Sequence, residues 1–358
     1  MPTLDFIVQP RIAPAVSLAT DAHFLHAANR PSRTRTGVLR VYDFAGDLLS
    51  LGRYHLAPPA APASDADDCR LHRRLSGGRV VPFGDGFVGL TLVLPQRSAL
   101  FSDDPLALAP AQVMNRYVRG ILEACKLADI PAFYPGRDFV TIDRRIVALV
   151  SFEVNAGGAL LFEAVIAAQR DFSVLPTLLD AVDPTGVVQA GMLTVDHTTC
   201  LAEALGTPVT TEEIAALLRR GFEHQFGLTL EPHALTPLEL QAIEAAAAHE
   251  LQHGRWLRHR QVRSDLDRHA FTRAQLGLFE TYFSLEQDRF IKDIVFAGDF
   301  IANSAAIERL EHDLRLCPVE WRAIDAVASA IFAQPENFIL GIGPVRTIAE
   351  TVTKALAS

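Results

Sequence analysis

Residues 73–81, RRLSGGRVV, place two adjacent arginines, a serine and two glycines ahead of a third arginine and a pair of valines. Paired glycines free the backbone to present N–H groups, and guanidinium groups suit carboxylate or phosphate. The same letters also fit an ordinary turn with solvated arginines, because glycine pairs are common in turns. On a strand, Arg73 and Arg74 face opposite sides, so at most one can point into a site directly. The stretch therefore predicts a loop that either binds an anion or serves only as a turn.

Strand-like and helix-like stretches surround this loop. Alternation predicts two short strands within residues 37–54, joined near Ala45 and Gly46, and two more within residues 69–95. A hairpin turning at Asp143 and Arg144 and one more strand in residues 159–169 follow, while helices are predicted over 14–30 and 108–128. These stretches predict a first domain of the α+β class with a largely antiparallel sheet.

The chain becomes helical from about residue 209. Residues 210–227 have a threonine cap, an acidic first turn and a closing glycine, and residues 236–254 have a capping box followed by Pro237 and a closing glycine. Charged residues in 255–270 break the apolar periodicity, so we place a domain boundary there and predict domains 1–262 and 263–358. The second domain is predicted to be a small α+β unit with one hairpin and three amphipathic helices.

Composition restricts the class of protein. A chain of 358 residues is long enough for about two domains. The net charge of -9 argues against a protein that binds nucleic acid or an anionic membrane by bulk electrostatics. The four cysteines, which predict neither a disulfide framework nor a zinc knuckle, are widely spaced: Cys69, Cys125, Cys200 and Cys317. No apolar run approaches the length of a membrane span, so we expect a cytoplasmic protein.

Two patterns could carry other chemistry. Residues 249–253, HELQH, match the HExxH zinc motif, with His259 as a possible third ligand. Trp256 stands where that motif needs a glycine turn, and the helix is predicted to end one residue after the motif. A polar helix end is therefore the favoured interpretation. Cys125 and Cys317 lie in amphipathic segments and are expected to be small core residues.

Four stretches together make the sequence resemble the lipoate-protein ligases, within the superfamily of biotin and lipoate ligases and octanoyltransferases. LRVYDFAGDLLSLGRY at 39–54 resembles a strand pair that ends in a G-R element, and RRLSGGRVV resembles the RRxSGG loop. GRDFVTIDRRIVAL at 136–149 resembles the segment in which an aspartate precedes the catalytic lysine by seven residues. IKDIVFAGDFIANSAAIERLEHDL at 291–314 is similar to the accessory domain, including its G-D-F turn.

The resemblance implies a biotin/lipoate ligase-like catalytic domain with a largely antiparallel sheet and a small α+β accessory domain. It implies that the carboxylate of lipoate or octanoate attacks the α-phosphate of ATP, which gives an acyl-adenylate and pyrophosphate. The acyl group then passes to a lysine of a lipoyl domain of a 2-oxoacid dehydrogenase or of the glycine cleavage H protein. ATP and Mg²⁺ are substrates in this scheme, no cofactor is permanently bound, and the protein is expected to be a monomer.

The resemblance also assigns site residues. Those expected to bind substrate or adenylate are Arg73, Arg74, Ser76, Gly77, Gly78, Arg79 and Asp138. Arg145 stands at the position of the family lysine and is the predicted catalytic residue, although a planar guanidinium is not a conservative replacement for an ammonium. Phe83 replaces an expected histidine, and Arg79, in place of a third glycine, is more typical of the octanoyltransferases.

Three functions follow from this pattern. The first is a ligase that uses Arg145, and the second is a noncatalytic relative that binds an acyl group, a nucleotide or a lipoyl domain. An octanoyltransferase is a weaker third, because no cysteine lies near residues 134–139. A basic patch for an acidic lipoyl domain is predicted, with a solvated linker as the alternative, from Arg255, Arg258, Arg260 and Arg263.

Overall fold

The computed structural model describes residues 2–29, 36–58, 71–182, 197–261 and 263–356. Its strands are β1 Thr3–Gln9, β2 Gly37–Tyr42, β3 Asp47–Leu51, β4 Leu71–Arg73, β5 Val81–Gly84, β6 Phe87–Leu94, β7 Ala132–Phe133, β8 Phe139–Ile142, β9 Arg145–Val154, β10 Leu160–Ala167, β11 Thr229–Pro232, β12 Arg268–Arg273, β13 Leu278–Glu286, β14 Phe290–Gly298, β15 Ile301–Ala302 and β16 Ile339–Leu340. Its α-helices are α1 Pro14–Ala27, α2 Val113–Lys126, α3 Leu175–Val182, α4 Leu201–Leu205, α5 Thr211–Phe226, α6 Pro237–His253, α7 Ser304–Asp313, α8 Trp321–Phe332 and α9 Thr347–Lys354.

A mixed sheet of eight strands forms the centre of the larger part of the chain. Its strand order is β11-β1-β2-β6-β10-β9-β8-β7. Strand β1 pairs in parallel with β11 and β2, and the other neighbouring strands pair antiparallel. The predicted α+β class with a largely antiparallel sheet is confirmed.

Helices cover one face of this sheet, and a second, smaller sheet contributes to the other. Helices α2 and α5 pack together over the apolar side chains of the first face, which form the largest buried cluster. The opposite face carries α1 and a three-stranded sheet of order β4-β3-β5. The stretch predicted as two consecutive strands therefore supplies both sheets, with β2 in the large one and β3 in the small one.

Polar side chains cross the middle of the large sheet on the face that carries α1. Arg40 on β2 pairs in register with Thr91 on β6, Thr91 with Glu163 on β10, and Glu163 with Ser151 on β9. Residues in register on adjacent strands project to the same face. All four are buried, so this row is an interruption in an otherwise apolar interface.

The C-terminal part has its own sheet of order β12-β13-β14 and its own apolar cluster. The predicted hairpin is β13 and β14, and the three predicted helices are α7, α8 and α9. The division between residues 262 and 263 stays a prediction, and residue 262 lies outside the described ranges.

The end of α6 explains the zinc-like motif. The helix ends at His253 and is followed by Gly254 in the left-handed conformation, with a φ of 53°. The Glu250 carboxylate accepts hydrogen bonds from the backbone N–H groups of Trp256 and Leu257, which places it in the helix end. Across the described residues, no three His, Cys, Asp or Glu side chains are grouped so that they could hold a metal ion.

The described cysteines are buried, as the sequence predicts for Cys125 and Cys317. Cys125, Cys200 and Cys317 are buried free thiols, and burial raises the pKa of Cys125 to about 12. Cys69 lies outside the described residues. Within the described ranges, none of the helices combines the length and the apolar character that crossing a membrane requires.

Candidate functional site

The RRLSGGR stretch is the connection from β4 to β5 in the small sheet. The Arg74 N–H donates to the carbonyl of Leu51 on β3, and the Ser76 carbonyl accepts from the Arg53 N–H. Gly78 has a φ of 88°, a conformation that side chains other than glycine rarely adopt. The loop is thus fixed to β3 and to the residues that follow it.

The Arg73 side chain lies on the face of the small sheet that contacts the segment after α6. Its guanidinium donates to five backbone carbonyls, at distances of 2.7 to 3.4 Å, which belong to Gly52, Arg53, His55, Leu257 and Arg260. The side chain is 1% exposed, and burial lowers its pKa to about 9, with nearby arginines adding to the effect. Arg73 therefore holds two chain segments together and is not among the residues that line the cavity described next.

Arg74 points to the opposite side, as the alternation of a strand predicts. Its guanidinium donates to the carbonyls of Ser50, Gly77 and Arg79, at 3.1, 2.7 and 2.7 Å. These bonds bend the loop around the arginine. Unlike Arg73, Arg74 lines the cavity below the loop.

A small cavity of about 20 Å³ lies between the loop and the large sheet. That volume has room for about one water molecule. The polar groups that line it are Arg74, Arg79, Asp138, Ser151 and Glu163. The Arg79 Nε lies 2.6 Å from an Asp138 carboxylate oxygen, so two predicted binding residues form an ion pair at this cavity.

Aromatic side chains fill the neighbouring space between the two sheets. The rings of Phe44 and Phe83 lie 4.5 Å apart, and those of Tyr42 and Phe83 lie 5.7 Å apart. Gly89 lies beneath them, and a Cβ there would approach the Tyr42 and Phe83 rings to 2.5 and 2.7 Å. Phe83, which replaces the expected histidine, is thus part of an aromatic cluster and is not among the residues that line the cavity.

Two loop N–H groups are satisfied from within the protein. The Ser76 N–H donates to a Glu163 carboxylate oxygen at 2.9 Å, and the Gly78 N–H donates to the Phe300 carbonyl at 2.7 Å. The Gly77 carbonyl accepts from the Ser151 hydroxyl at 2.9 Å. The Ser76 hydroxyl is buried and has no hydrogen-bond partner in the part of the chain that the structure describes.

Burial controls the electrostatics of the cavity. Burial raises the pKa of Glu163 to about 7, and Asp21 adds to this rise while Arg74 opposes it. Burial, together with nearby arginines, lowers the pKa of His72 to about 3, so this histidine is neutral at physiological pH. The Glu163 carboxyl therefore titrates near neutral pH at the loop.

The G-D-F turn, residues 298–300, closes the loop from the C-terminal part. A Cβ on Gly77 would lie 2.2 Å from the Phe300 carbonyl oxygen, so only glycine permits this approach. The Phe300 ring stacks on Tyr54 at 4.3 Å, and the Asp299 carboxylate lies 3.1 Å from the His55 ring nitrogen. Two stretches 220 residues apart in the sequence thus meet at one surface.

Comparisons of the sequence find no matching family model and no matching curated protein. Comparisons of the structure do find matches. The lipoate complex of P. falciparum LipL1 has a TM-score of 0.67 at 14% identity, and the match covers 99% of this chain and 100% of that chain. The chain has the lipoate-protein ligase fold.

Two further structures with the lipoate-protein ligase fold match the chain over a shorter length. A lipoate-protein ligase A bound with ATP has a TM-score of 0.54 at 16% identity, covering 72% of this chain and 99% of that chain. The bipartite lipoate protein ligase of Thermoplasma acidophilum, described with its E2 lipoyl domain, has a TM-score of 0.55 at 14% identity. That match covers 74% of this chain and 100% of that chain.

Arg145 lies away from the cavity in this ligase fold. It begins β9, and its guanidinium is 2.7 Å from the carboxylate of Glu203 on α4. The same carboxylate accepts from the Thr199 hydroxyl at 2.7 Å, and these two bonds lower the pKa of Glu203. The structure therefore brings together Arg74, Arg79 and Asp138 but not Arg145, which is absent from the cavity lining.

The arginines predicted to form a basic docking patch have partners within the ligase fold. Arg260 is buried and pairs with Glu311 at 2.7 Å, and Arg263 pairs with Asp265 and Asp293. Arg258 donates to the His253 carbonyl. Arg260 is therefore removed from a surface patch by burial, whereas Arg255 and Arg263 are exposed, so a basic patch in this segment stays a prediction.

Sequence reasoning missed Glu163, a buried acidic group of the cavity, and Glu153, a buried acidic group outside the cavity lining. Glu163 and Glu153 are 6% and 1% exposed and lie on adjacent strands. The available signal was a single glutamate in each of two mainly apolar strands, LLFEAVIA and RIVALVSFEV. A carboxylate inside such a strand needs a buried partner, which only the three-dimensional structure identifies.

Proposed function

We propose that the protein activates lipoate or octanoate with ATP and transfers the acyl group to a lysine of a lipoyl domain. The observation that carries this proposal is the contact between the two stretches that resemble lipoate-protein ligases. The SGG loop and the G-D-F turn share the hydrogen bond from Gly78 to Phe300, within a fold that matches a lipoate complex over almost the whole chain.

The chemistry requires positive charge where phosphate oxygens become more negative. In this proposal, the adenylate binds at the loop, through Ser76, Gly77 and Gly78, with Arg79 oriented by Asp138. Arg74 keeps the loop in shape through its three carbonyl contacts, and Arg73 fixes the loop to the rest of the fold. ATP, as its magnesium complex, is a substrate in this scheme.

Arg145 is the proposed catalytic cation. It stands at the lysine position, but its ion pair with Glu203 must open before the guanidinium can approach a phosphate. The cavity of about 20 Å³ must also enlarge, because it has room for about one water molecule. Residues 263–358 are proposed to act as the accessory domain to a catalytic domain of residues 1–262.

A noncatalytic relative is the second candidate function, and the Arg145–Glu203 pair is the observation that favours it. An arginine neutralised by its own protein supports binding without adenylation. An octanoyltransferase is weaker, because none of the cysteines within the described ranges lines the cavity. The proposed acceptor is a lipoyl domain of a 2-oxoacid dehydrogenase or the H protein, and the proposed form is a cytoplasmic monomer.

Exchange of labelled pyrophosphate into ATP tests adenylation directly, measured with lipoate and with octanoate. We expect exchange by the natural protein, a loss of about a hundredfold in Arg145→Ala, and recovery in Arg145→Lys. Arg144→Ala is the matched control, because Arg144 is the adjacent exposed arginine at the hairpin turn. If the natural protein binds lipoate but supports no exchange with either acid, the ligase proposal is rejected in favour of the noncatalytic relative.

A further inference from the structure

Glu163 is an acidic group that bonds directly to the backbone of the loop. It lies in the middle of β10, the fifth strand of the eight-stranded sheet, and its carboxylate accepts the Ser76 N–H at 2.9 Å. It is 6% exposed and lines the same cavity as Arg74 and Arg79. A donor of the SGG loop is thus already bonded to a carboxylate that belongs to the protein.

We propose that Glu163 is an internal anion at the loop, and that an oxyanion of the substrate binds there only together with one proton on Glu163. The ligand class is a carboxylate or a phosphate oxygen. The inference rests on the proposed function for the identity of that oxyanion, but the contact that carries it is independent of the reaction.

The surroundings of Glu163 explain why two anions cannot share the loop. Asp21 on α1 is already paired with Arg40 at 2.6 Å and accepts from Thr91 at 2.9 Å. Arg74, the cation beside Glu163, has three backbone carbonyls as partners. Of the three nearby arginines, Arg40 is paired with Asp21 and Arg79 with Asp138, so Arg74 is left to offset the charge of Glu163. A second negative charge has no further cation among these three, and a cavity of about 20 Å³ admits too little water to screen it.

A proton removes this conflict without a change of fold. A protonated carboxyl has an O–H that can donate to the incoming oxyanion, so repulsion becomes a hydrogen bond. The buried Ser76 hydroxyl lies beside the Glu163 carboxyl and is a second donor of the same loop. Binding therefore couples to the uptake of a proton.

Several other charged and titratable groups surround Glu163. They are Asp21, Arg40, Tyr42, His72, Arg74, Arg79 and Asp138. Burial raises the pKa of Tyr42 well above its usual range and lowers that of His72 to about 3. Burial raises the pKa of Glu163 to about 7, so the carboxyl that accepts the Ser76 N–H exchanges a proton near neutral pH. Burial also raises the pKa of Asp21, and Arg40 opposes that rise.

Calorimetric titration of the full chain tests the inference from about pH 5.5 to about pH 8.5. The two probes are octanoate and the methyl ester of adenosine 5′-monophosphate, because neither has a group that titrates in this range. We expect the dissociation constant of the binding probe to rise by about tenfold per pH unit above pH 7. At about pH 8 we also expect uptake of about one proton, which falls toward zero at about pH 5.5, measured from the dependence of the heat on buffer ionisation.

Glu163→Gln should bind the same probe with an affinity that does not depend on pH, and about tenfold more tightly than the natural protein at pH 8. Glu153→Gln is the matched control, because Glu153 is also buried, lies on the adjacent strand and does not line the cavity. It should keep the pH dependence of the natural protein. Octanoate binding would identify a carboxylate site, and binding of the nucleotide ester a phosphate site.

Three outcomes would overturn the inference. The first is a pH dependence in Glu163→Gln that equals that of the natural protein. The second is binding without proton uptake, and the third is the absence of binding by both probes. Proton uptake is measured on the natural protein, so the inference stays falsifiable even if Glu163→Gln does not fold. Pyrophosphate exchange with pH-independent binding would overturn this inference alone, whereas proton-linked binding without exchange would overturn only the proposed ligase activity.

Discussion

Replacing Glu153 by glutamine should remove a pH dependence from the stability of the protein. One Glu153 carboxylate oxygen accepts the Ser304 N–H at the start of α7 at 2.9 Å, and the other has no hydrogen-bond partner among the described residues. Burial raises the pKa of this carboxyl from 4.5 to about 7; Arg53 opposes the rise and Glu308 adds to it. The folded protein therefore holds this proton more tightly than the unfolded chain does.

The sign of the effect follows from that difference. Between pH 4.5 and about 7 the folded state binds more protons at Glu153, so the free energy of unfolding falls as the pH rises. Each pKa unit corresponds to about 1.4 kcal/mol, so the contribution that is lost across this window is about 3 kcal/mol. It is fully present below pH 4.5 and absent above about pH 7.

The assay is urea unfolding of the natural protein and of Glu153→Gln at about pH 5 and about pH 8. At about pH 5, glutamine resembles the protonated carboxyl of Glu153. Its amide lacks a full set of hydrogen-bond partners, which lowers the free energy of unfolding of the variant by about 1–3 kcal/mol at both pH values. The difference in unfolding free energy between the two proteins should therefore change by about 3 kcal/mol in favour of the variant on going to pH 8. The raised pKa of Glu163 also makes the free energy of unfolding fall as the pH rises, but it does so equally in both proteins and cancels from the comparison.

A constant difference between the two proteins at both pH values would refute this reasoning. Glu203→Gln is a useful control, because Glu203 is exposed and hydrogen bonds from Thr199 and Arg145 lower its pKa. Its removal should not reproduce the effect, since its contribution has the opposite sign: it is present at high pH and lost on acidification.

Three other substitutions test contacts of the loop. Gly77→Ala should break the Gly78–Phe300 hydrogen bond, because the new Cβ would lie 2.2 Å from the Phe300 carbonyl oxygen. The rate of hydrogen exchange at the Gly78 amide should rise at least about tenfold, and unchanged protection would contradict this. Arg73→Lys offers at most three donors to the five carbonyls that Arg73 now bonds, so it should lower the free energy of unfolding by about 2–5 kcal/mol. A loss below about 1 kcal/mol in urea unfolding would contradict this expectation. Arg79→Gln leaves the buried Asp138 carboxylate without its ion pair and should lower the free energy of unfolding by about 3 kcal/mol; a loss below about 1 kcal/mol in urea unfolding would contradict this.

Local signals in the sequence predicted many elements correctly. The predicted threonine cap of α5 and the predicted capping box of α6 are confirmed at Thr210 and Thr236, because such caps are made by residues three apart. The structure adds that Thr210 and Glu213 also form a capping box. The hairpin turn at Asp143 and Arg144 is also confirmed, with φ of 48° and 68°. Strand β1 was missed, because a short apolar run buried on both faces has no alternation to identify it.

The partners of the loop arginines could not be predicted in the same way. Alternation correctly placed Arg73 and Arg74 on opposite sides, but the acceptors of Arg73 include Leu257 and Arg260, 184 and 187 residues away. Nothing in residues 73–81 indicates that the guanidinium groups bind backbone carbonyls. The same limit applies to Arg145, whose partner Glu203 is 58 residues away and belongs to a short helix.

The distance in sequence between the loop and its supports has a consequence for the order in which the protein is made. Arg73 bonds to Leu257, its carbonyl accepts from the Trp256 indole at 3.0 Å, and Gly78 bonds to Phe300. During synthesis these supports leave the ribosome about ten seconds or more after the loop, at typical elongation rates. In the nascent chain, the loop therefore lacks its hydrogen bond to Phe300 until more than 220 further residues have been added, and Arg73 lacks its later-synthesised partners for most of that time. Slow elongation between residues 80 and 300 should therefore lengthen the interval in which a protease or chaperone can bind this loop.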